Sequence, residues 1–313
     1  MSGGGLFLGV DGGQSSTRAV VGDASGAILA RAVGGPGNQV SAGIGETNLG
    51  AVMAGLLRDA LQAARLPEES AFEAACFAMS GGPGGKEAIL NESIRAGAVK
   101  VTTDADAALE GASPGMPGIA VIAGTGSMAL GRDQAGRTVR CGGWGYAFGD
   151  EGGAFDIVRR AVRKALAAEE GWGEPTALRE TLIEATASKT VNEALHRFYT
   201  SEWPRDRIAR LAPTVDLVAT EGDPVACRVM KEAGSVLGSL TEIVEGCLPR
   251  SDPDLTIYPV GGVFHSRLVR ESFEFRLEPL DLRIGEPAHD APVGALLMAY
   301  RLRGLSPEIR DEG

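Results

Sequence analysis

Two kinds of hydrophobic pattern alternate along the chain. Short, nearly uninterrupted apolar runs at Leu6–Val10, Phe72–Met79, Ile119–Ala123 and Leu255–Val260 read as strands covered on both faces. Longer segments in which apolar residues recur every three or four positions read as helices: Ile44–Arg65, Lys86–Arg95, Phe155–Glu170, Ala177–Ala187, Val191–Tyr199, Arg205–Leu211, Pro224–Cys247, a helix from Val263, and the small-residue-rich Ala291–Leu302. Val99–Thr102 adds a short strand, Ala105–Gly111 a turn or two of helix, and Ser306–Gly313 a polar tail. The alternation predicts an α/β protein. Ser113–Gly118 is rich in Pro and Gly and is the best linker, so a boundary is expected there. The expected division is an N-terminal domain over 1–112, a second over 113–290 carrying the helical insertion, and a C-terminal helix over 291–313 returning to the first.

One local pattern occurs twice. Leu6–Val10 leads through Asp11–Thr17 into strand Arg18–Gly22, the turn Asp23–Gly26 and strand Ala27–Val33. Ile119–Ala123 leads through Gly124-Thr125-Gly126-Ser127 into Met128–Gly131, the turn Asp133–Gly136 and Arg137–Cys141, roughly 110 residues later. Repetition of a strand, a glycine/hydroxyl loop and a hairpin predicts two related halves facing each other across a ligand. Further glycine-rich segments follow at Gly142-Gly143-Trp144-Gly145 and Gly149-Asp150-Glu151-Gly152-Gly153, and again at Gly261-Gly262.

Charge narrows the ligand class. A formal net charge of −11 on 313 residues opposes nucleic-acid binding, which depends on Lys and Arg neutralising phosphates. A small molecule is the expected partner, with any anionic group held by loop amides, helix N-termini or Mg²⁺. The apolar run Leu6–Val10 is too short for a membrane span or a signal-peptide core, so no membrane association and a cytoplasmic location are expected. Cys76, Cys141, Cys227 and Cys247 lack the spacing of a disulfide framework or thiolate metal site, and His196, His265 and His289 are scattered.

The loops then suggest chemistry. Gly12 and Gly13, with Thr125 and Gly126, are suited to clamp nucleotide phosphates from the two halves, and Gly261-Gly262 to let adenine and ribose lie on bare backbone. Neither a P-loop nor a dinucleotide-binding fingerprint is present. Asp11, ending the first strand, is placed to reach Mg²⁺ through water. Asp104 is placed to accept a hydroxyl proton during phosphoryl transfer, while Asp106 is its rival for that role or else a helix cap; spacing leaves both open. Asp150 is expected to bind a neutral acceptor, its carboxylate held by the N-terminal amides of the helix that follows.

In order and spacing, Asp11-Gly12-Gly13, Thr102-Thr103-Asp104-Ala105, Gly124–Ser127, Cys141–Gly145 and Gly149–Gly152 resemble the N-acetylglucosamine kinases. These fall within the BadF/BadG/BcrA/BcrD-type ATPases of the actin-like, hexokinase-like superfamily. The resemblance spans most of the chain, is strongest over Val101–Phe155 and is weak over Ala177–Pro249. It implies two actin-like (ribonuclease H-like) domains with ATP and sugar in a cleft, and transfer of phosphate from MgATP to the 6-hydroxyl of N-acetylglucosamine. It also implies Asp104 as the base, Asn38, Ser80, Gly143, Trp144, Gly145 and Asp150 on the sugar, and Ser15, Thr125 and Gly261 on the nucleotide. Where the family usually reads Gly-Gly-Gly-Thr, this chain has Gly12-Gly13-Gln14-Ser15, which keeps a hydroxyl. The alternatives are a kinase for glucosamine or N-acetylmuramic acid, an ATP-driven activator of a reductive dehydratase, whose iron–sulfur cluster requires cysteines, and a sugar-sensing regulator. A homodimer is expected.

Overall fold

The computed structural model describes residues 4–37, 45–82, 84–249 and 255–311. The chain divides into two compact units: residues up to Met116 together with those from Glu286 onward, and Pro117–Gly285. Each is built on a five-stranded mixed sheet.

In the first unit β1 (Leu6–Gly12), β2 (Thr17–Asp23) and β3 (Ile28–Gly34) form an antiparallel meander. After α1 (Gly45–Ala63), β4 (Ala74–Met79) lies parallel to β1 and β5 (Val99–Thr102) parallel to β4, with α2 (Glu87–Glu92) between them; the order is β3-β2-β1-β4-β5. α3 (Asp104–Ala112) follows β5. Both faces of the sheet are covered, which is why β1 and β4 read as unbroken apolar runs. Leu8, Val10, Ala75 and Phe77 pack with Met53, Leu56 and Ala60 of α1. Phe7, Val20, Ala74, Cys76 and Ala78 pack with Val293, Leu296 and Tyr300 of the C-terminal helix Ala291–Arg301.

The second unit repeats the plan. β6 (Gly118–Ala123), β7 (Ser127–Arg132) and β8 (Thr138–Gly142) form the meander; β9 (Thr256–Val260) is parallel to β6 and β10 (Arg283–Ile284) parallel to β9, in the order β10-β9-β6-β7-β8. The helices α4 (Ala154–Glu169), α5 (Leu178–Ala185), α6 (Val191–Phe198), α7 (Arg205–Ala209), α8 (Ala212–Thr220) and α9 (Pro224–Cys247) lie between β8 and β9, and α10 (Arg267–Leu277) follows β9. Their buried faces join the sheet in one core that includes Ile119, Val121, Ile157, Ala161, Val229, Leu237 and Phe273. The mixed sheets and shared plan make this an α/β protein of two actin-like units.

Two local expectations are corrected. α8 was not evident from the pattern, since Pro213, Thr214, Val215 and Val218 weaken a helical reading; Pro213 sits in the first turn, where its missing N–H costs nothing. The helix expected from Val263 begins instead with a 3₁₀ turn over Gly262–His265. Ser266 then breaks the run with an extended backbone and caps α10 by accepting from Val269 N at 3.3 Å.

Close backbone approach locks the C-terminal helix, α11 (Ala291–Arg301), into the first unit. A Cβ at Gly9 of β1 would collide with Leu296 N and Pro292 O, and one at Gly294 with Ala107 O of α3. A helical glycine usually gains stability on replacement by alanine. At position 294 the sign should reverse: Gly294→Ala is expected to cost roughly 1–3 kcal/mol through overpacking, seen as a lower denaturant midpoint at unchanged slope.

Candidate active site

The first cluster forms where the parallel strands β1, β4 and β5 end, the edge at which open α/β sheets bind ligands. Asp11 is the last but one residue of β1 and lies opposite Arg18 of β2, whose guanidinium pairs with it at 2.6 Å. Gly13 N donates to Ser16 O at 2.9 Å, closing a tight turn that leaves Gln14 and Ser15 exposed, while Gly12 O accepts from Ser80 N at 2.8 Å. Ser80, just past β4, is buried and its hydroxyl donates to the carboxylate of Asp104. Asp104 opens α3 and also accepts from Ala105 N at 3.0 Å. Asp11, Gly12, Ser80 and Asp104 are thus drawn together within one unit. Asn38 lies outside the described residues.

Asp104 and Asp106 differ in what their carboxylates hold. Asp106 Oδ2 accepts from Thr102 Oγ1 at 2.6 Å, Thr103 Oγ1 at 2.7 Å and Thr103 N at 3.2 Å, completing a capping box with Thr103 as N-cap. The carboxylate of Asp106 is engaged in holding α3, whereas that of Asp104 is not part of the cap.

Electrostatics set Asp104 apart. Burial pushes its carboxyl above the usual carboxylate range, against the opposing pull of Ser80, the Ala105 amide and Lys86. Asp11 is likewise pushed up by burial, with Arg18 opposing and Asp104 and Asp290 adding to the rise. Lys86, which pattern reasoning passed over as the start of an ordinary helix, is only 4% exposed. Its ammonium donates to Ser80 O at 2.6 Å and Gly82 O at 3.0 Å, bracing the loop that carries Ser80, and burial lowers its pKa while Asp104 opposes. A buried lysine beside a carboxylate has no signature in a single sequence.

The second cluster surrounds Gly124–Ser127, between β6 and β7. The loop carbonyls Gly124 O and Thr125 O accept from Ala154 N at 2.8 Å and Phe155 N at 3.1 Å, so the loop is stitched to the first amides of α4. Ser127, at the start of β7, is buried and gives its hydroxyl to Glu151 O at 2.5 Å, which withdraws it from the phosphate-binding role its type suggests. Gly261 (φ 108°) lies against the end of β6, where a Cβ would meet Ala123 O at 2.5 Å, and Gly262 beside it faces open space. Gly143 and Gly145 have φ of 73° and 83° and flank Trp144, which is 68% exposed with the Arg140 guanidinium 4.5 Å from its ring centroid.

Asp150 is held differently from expectation. The first amides of α4 serve the loop carbonyls and its N-cap, Gly153, has no side-chain cap, so these amides do not hold Asp150. Asp150 Oδ2 instead pairs with Arg205 Nη2 of α7. Arg205 lies where the sequence resemblance is weak, 55 residues from its partner, and was missed for that reason. Among the described residues no group of three or more His, Cys, Asp or Glu gathers as a metal cage.

Residues 8–299 match the BadF/BadG/BcrA/BcrD ATPase family. The chain is 30% identical over 301 residues to the N-acetylmuramic acid/N-acetylglucosamine kinase of Clostridium acetobutylicum, covering 93% of this chain and 97% of that protein. It is 27% identical over 256 residues to the N-acetyl-D-glucosamine kinase of Dictyostelium discoideum, covering 76% and 79%. A solved structure from Chromobacterium violaceum, provisionally designated an N-acetylglucosamine kinase, superposes with a TM-score of 0.78 at 26% identity over 94% of this chain and 98% of that one.

The raised carboxyl of Asp104 makes a stability prediction. A carboxyl whose pKa is higher folded than unfolded costs stability once pH rises above both values, and costs nothing below the unfolded value of about 3.9. Asp104→Asn should therefore raise the melting temperature at pH 7, and the gain should shrink as the pH is lowered toward that value. Thermal melts of both proteins across this range check the sign.

Proposed function

Because the chain belongs to the BadF/BadG/BcrA/BcrD ATPase family, we propose that it is an ATP-dependent amino-sugar kinase that transfers the γ-phosphoryl group of ATP to the 6-hydroxyl of N-acetylglucosamine. The observation that carries this reading is the half-buried Asp104 carboxylate, raised above its ordinary range beside Ser80 and Lys86 while Asp106 serves the cap. A base with a raised pKa is better matched to a sugar hydroxyl than an ordinary carboxylate. Asp104 takes the hydroxyl proton as the phosphoryl group moves, and Ser80 orients the carboxylate by donating to it. Gly12, Gly13, Ser15, Thr125 and Gly126 are the phosphate-receiving residues of this reading, and Gly261-Gly262 lie along the nucleoside. Trp144, between Gly143 and Gly145, offers an apolar face to the sugar, and Asp150 accepts its hydroxyls.

Mg²⁺ fits the residues present. Asp11 is buried and Asp104 half-buried, and the charge of Asp104 adds to the cost of ionising Asp11, a negative spot that a cation would relieve. With no cage of three acidic or imidazole groups among the described residues, the ion would rest on phosphate oxygens and water, with Asp11 reaching it through water. When bound it would neutralise charge on the transferring group. A cytoplasmic location belongs to the same reading, since ATP is its donor. Among the described residues no helix is long and apolar enough to cross a membrane. A homodimer belongs to the same reading and is checked by sedimentation.

N-acetylmuramic acid is favoured as a second acceptor. Its lactyl carboxylate calls for a cation, and the exposed Arg140 stacks on Trp144; the Clostridium relative is named for both sugars. The dehydratase-activator reading needs thiolates. Cys76 is buried in β4 with its pKa pushed up to about 12 by desolvation, and Cys227 and Cys247 sit at opposite ends of α9, so these residues do not favour it.

Two outcomes test the proposal. A coupled ADP-release assay over N-acetylglucosamine, N-acetylmuramic acid, glucosamine and glucose should give the highest kcat/KM with an N-acetylated sugar; turnover only with glucose defeats it. Asp104→Asn should lower kcat by roughly 10²- to 10⁴-fold with little change in ATP binding, even as it stabilises the fold. In the unaltered enzyme kcat/KM should fall with acid as Asp104 protonates, at a pH above the ordinary aspartate range. Lys86→Met removes a neighbouring positive charge, so that acid limb should move to still higher pH. A limb that stays in place separates Lys86 from the base.

A further inference from the structure

Asp150 has φ of 59°, the left-handed region that a non-glycine residue enters only when its surroundings impose it. The surroundings are identifiable. Its side chain and that of Arg205 are 9% and 17% exposed, and Oδ2 meets Nη2. The guanidinium carbon lies 5.0 Å from the ring centre of Tyr146, in the loop that carries Trp144, and 5.7 Å from that of Phe155 in the first turn of α4. Those rings pack edge to face at 5.3 Å. On the other side lies the Gly124–Ser127 loop: a Cβ at Gly126 would collide with Asp150 Oδ2 and come within 3.0 Å of Arg205 Nη2.

The base of the arginine is also fixed. Pro204 precedes it as the N-cap of α7, and Trp203, Ile208 and Ala209 around it are buried in the core of the second unit. One guanidinium therefore touches the glycine-tryptophan loop, the start of α4 and Asp150, and borders the Gly124–Ser127 loop. A buried ion pair is a poor way to gain stability alone, since well-packed apolar residues do as well or better. A planar guanidinium set against Tyr146 and Phe155, by contrast, presents Nη2 to Oδ2 from a fixed position, which the flexible stem of an ammonium does not.

We infer that Arg205 is a positioning residue for the acceptor sugar: through Oδ2 it holds the Asp150 carboxylate and keeps Oδ1 available to sugar hydroxyls, with the Gly126 backbone as the wall behind. The inference rests on the amino-sugar kinase reading. It assigns the recognition of acceptor hydroxyls in part to the helical insertion, the region with the weakest sequence resemblance.

The test uses the full chain as Arg205→Met, Arg205→Lys, Asp150→Asn and the double variant Asp150→Asn/Arg205→Met. KM for N-acetylglucosamine, KM for ATP and kcat are measured together with melting temperature. Arg205→Met should raise the sugar KM by about tenfold or more, the loss of one charge-assisted contact, and leave the ATP KM within about twofold. Arg205→Lys should fall between, because it keeps the charge and loses the planar guanidinium. The double variant should bind sugar no worse than Asp150→Asn alone, since the arginine acts through that carboxylate. Parallel changes in both KM values, or additive losses in the double variant, overturn the inference and leave a packing role. If Arg205→Met lacks native near-ultraviolet dichroism, Arg205→Lys decides by the same split. Unaltered protein that phosphorylates no amino sugar defeats the functional reading and this inference with it; active unaltered protein whose sugar KM is unmoved in Arg205→Met defeats the positioning role alone.

Discussion

A half-buried carboxylate is the constraint around which the first unit is arranged. Asp104 is partly desolvated while Ser80 and the Ala105 amide donate to it and a lysine ammonium stands near, and each of those groups needs its own support. Ser80 is fixed by its amide bond to Gly12 O and by Lys86 on its carbonyl. Lys86 in turn is affordable inside because two carbonyls accept from it. The parallel strands β1, β4 and β5 supply the frame, and they stay in register because helices cover both faces, α1 on one and α11 with α3 on the other. The tight seat of α11 on Gly9 is therefore linked to the site: it fixes the strand whose end carries Asp11 and whose Gly12 carbonyl holds Ser80.

The same architecture is used twice with opposite chemistry at the loop. In the first unit the strand end is acidic, and Asp11 is answered across the hairpin by Arg18. In the second the corresponding strand ends in Ala123, paired with Ser127, and the carbonyls of Gly124 and Thr125 tie the loop to α4. An acidic end suits proton transfer and a cation; a neutral loop beside a helix N-terminus suits a polyanion. The same plan therefore carries different side chains at equivalent positions in the two units.

Much of this was legible because it rests on local rules. Strands covered on both faces leave apolar runs, turns leave Asp and Gly, and the repeat of strand, loop and hairpin appears as two sheets of one plan. The role of Asp106 as a cap was legible as one of two options, since a capping box is a local motif, and its carboxylate takes the Thr102 and Thr103 bonds of that box. What escaped was non-local. α8 is helical despite its β-branched residues because Val215, Val218 and Ala219 bury a shared face against the core, tertiary packing overriding propensity. Lys86 and Arg205 look like surface cations in the sequence, and only the fold shows them buried against carbonyls, aromatic rings and carboxylates. The support expected for Asp150 failed for a related reason: the helix amides nearest in sequence were already engaged by Gly124 O and Thr125 O, so the charge came from another helix.

That distribution has a consequence for acceptor choice. A fold shared among sugar kinases constrains the donor side strongly, because phosphates are held largely by backbone groups that many sequences supply. The acceptor side depends on side chains with specific neighbours. Trp144 is exposed on its glycine loop with Arg140 across its face, and Asp150, with φ of 59°, pairs with an arginine from the insertion. One misplaced hydrogen bond to a sugar hydroxyl changes discrimination far more than one methylene of apolar contact, because it leaves a buried polar group unpaired. Under the proposed reading, acceptor choice rests on Trp144 and Asp150 in the glycine-rich loops together with Arg205 from the helical insertion, so a change in any one of them acts through the neighbours that hold it.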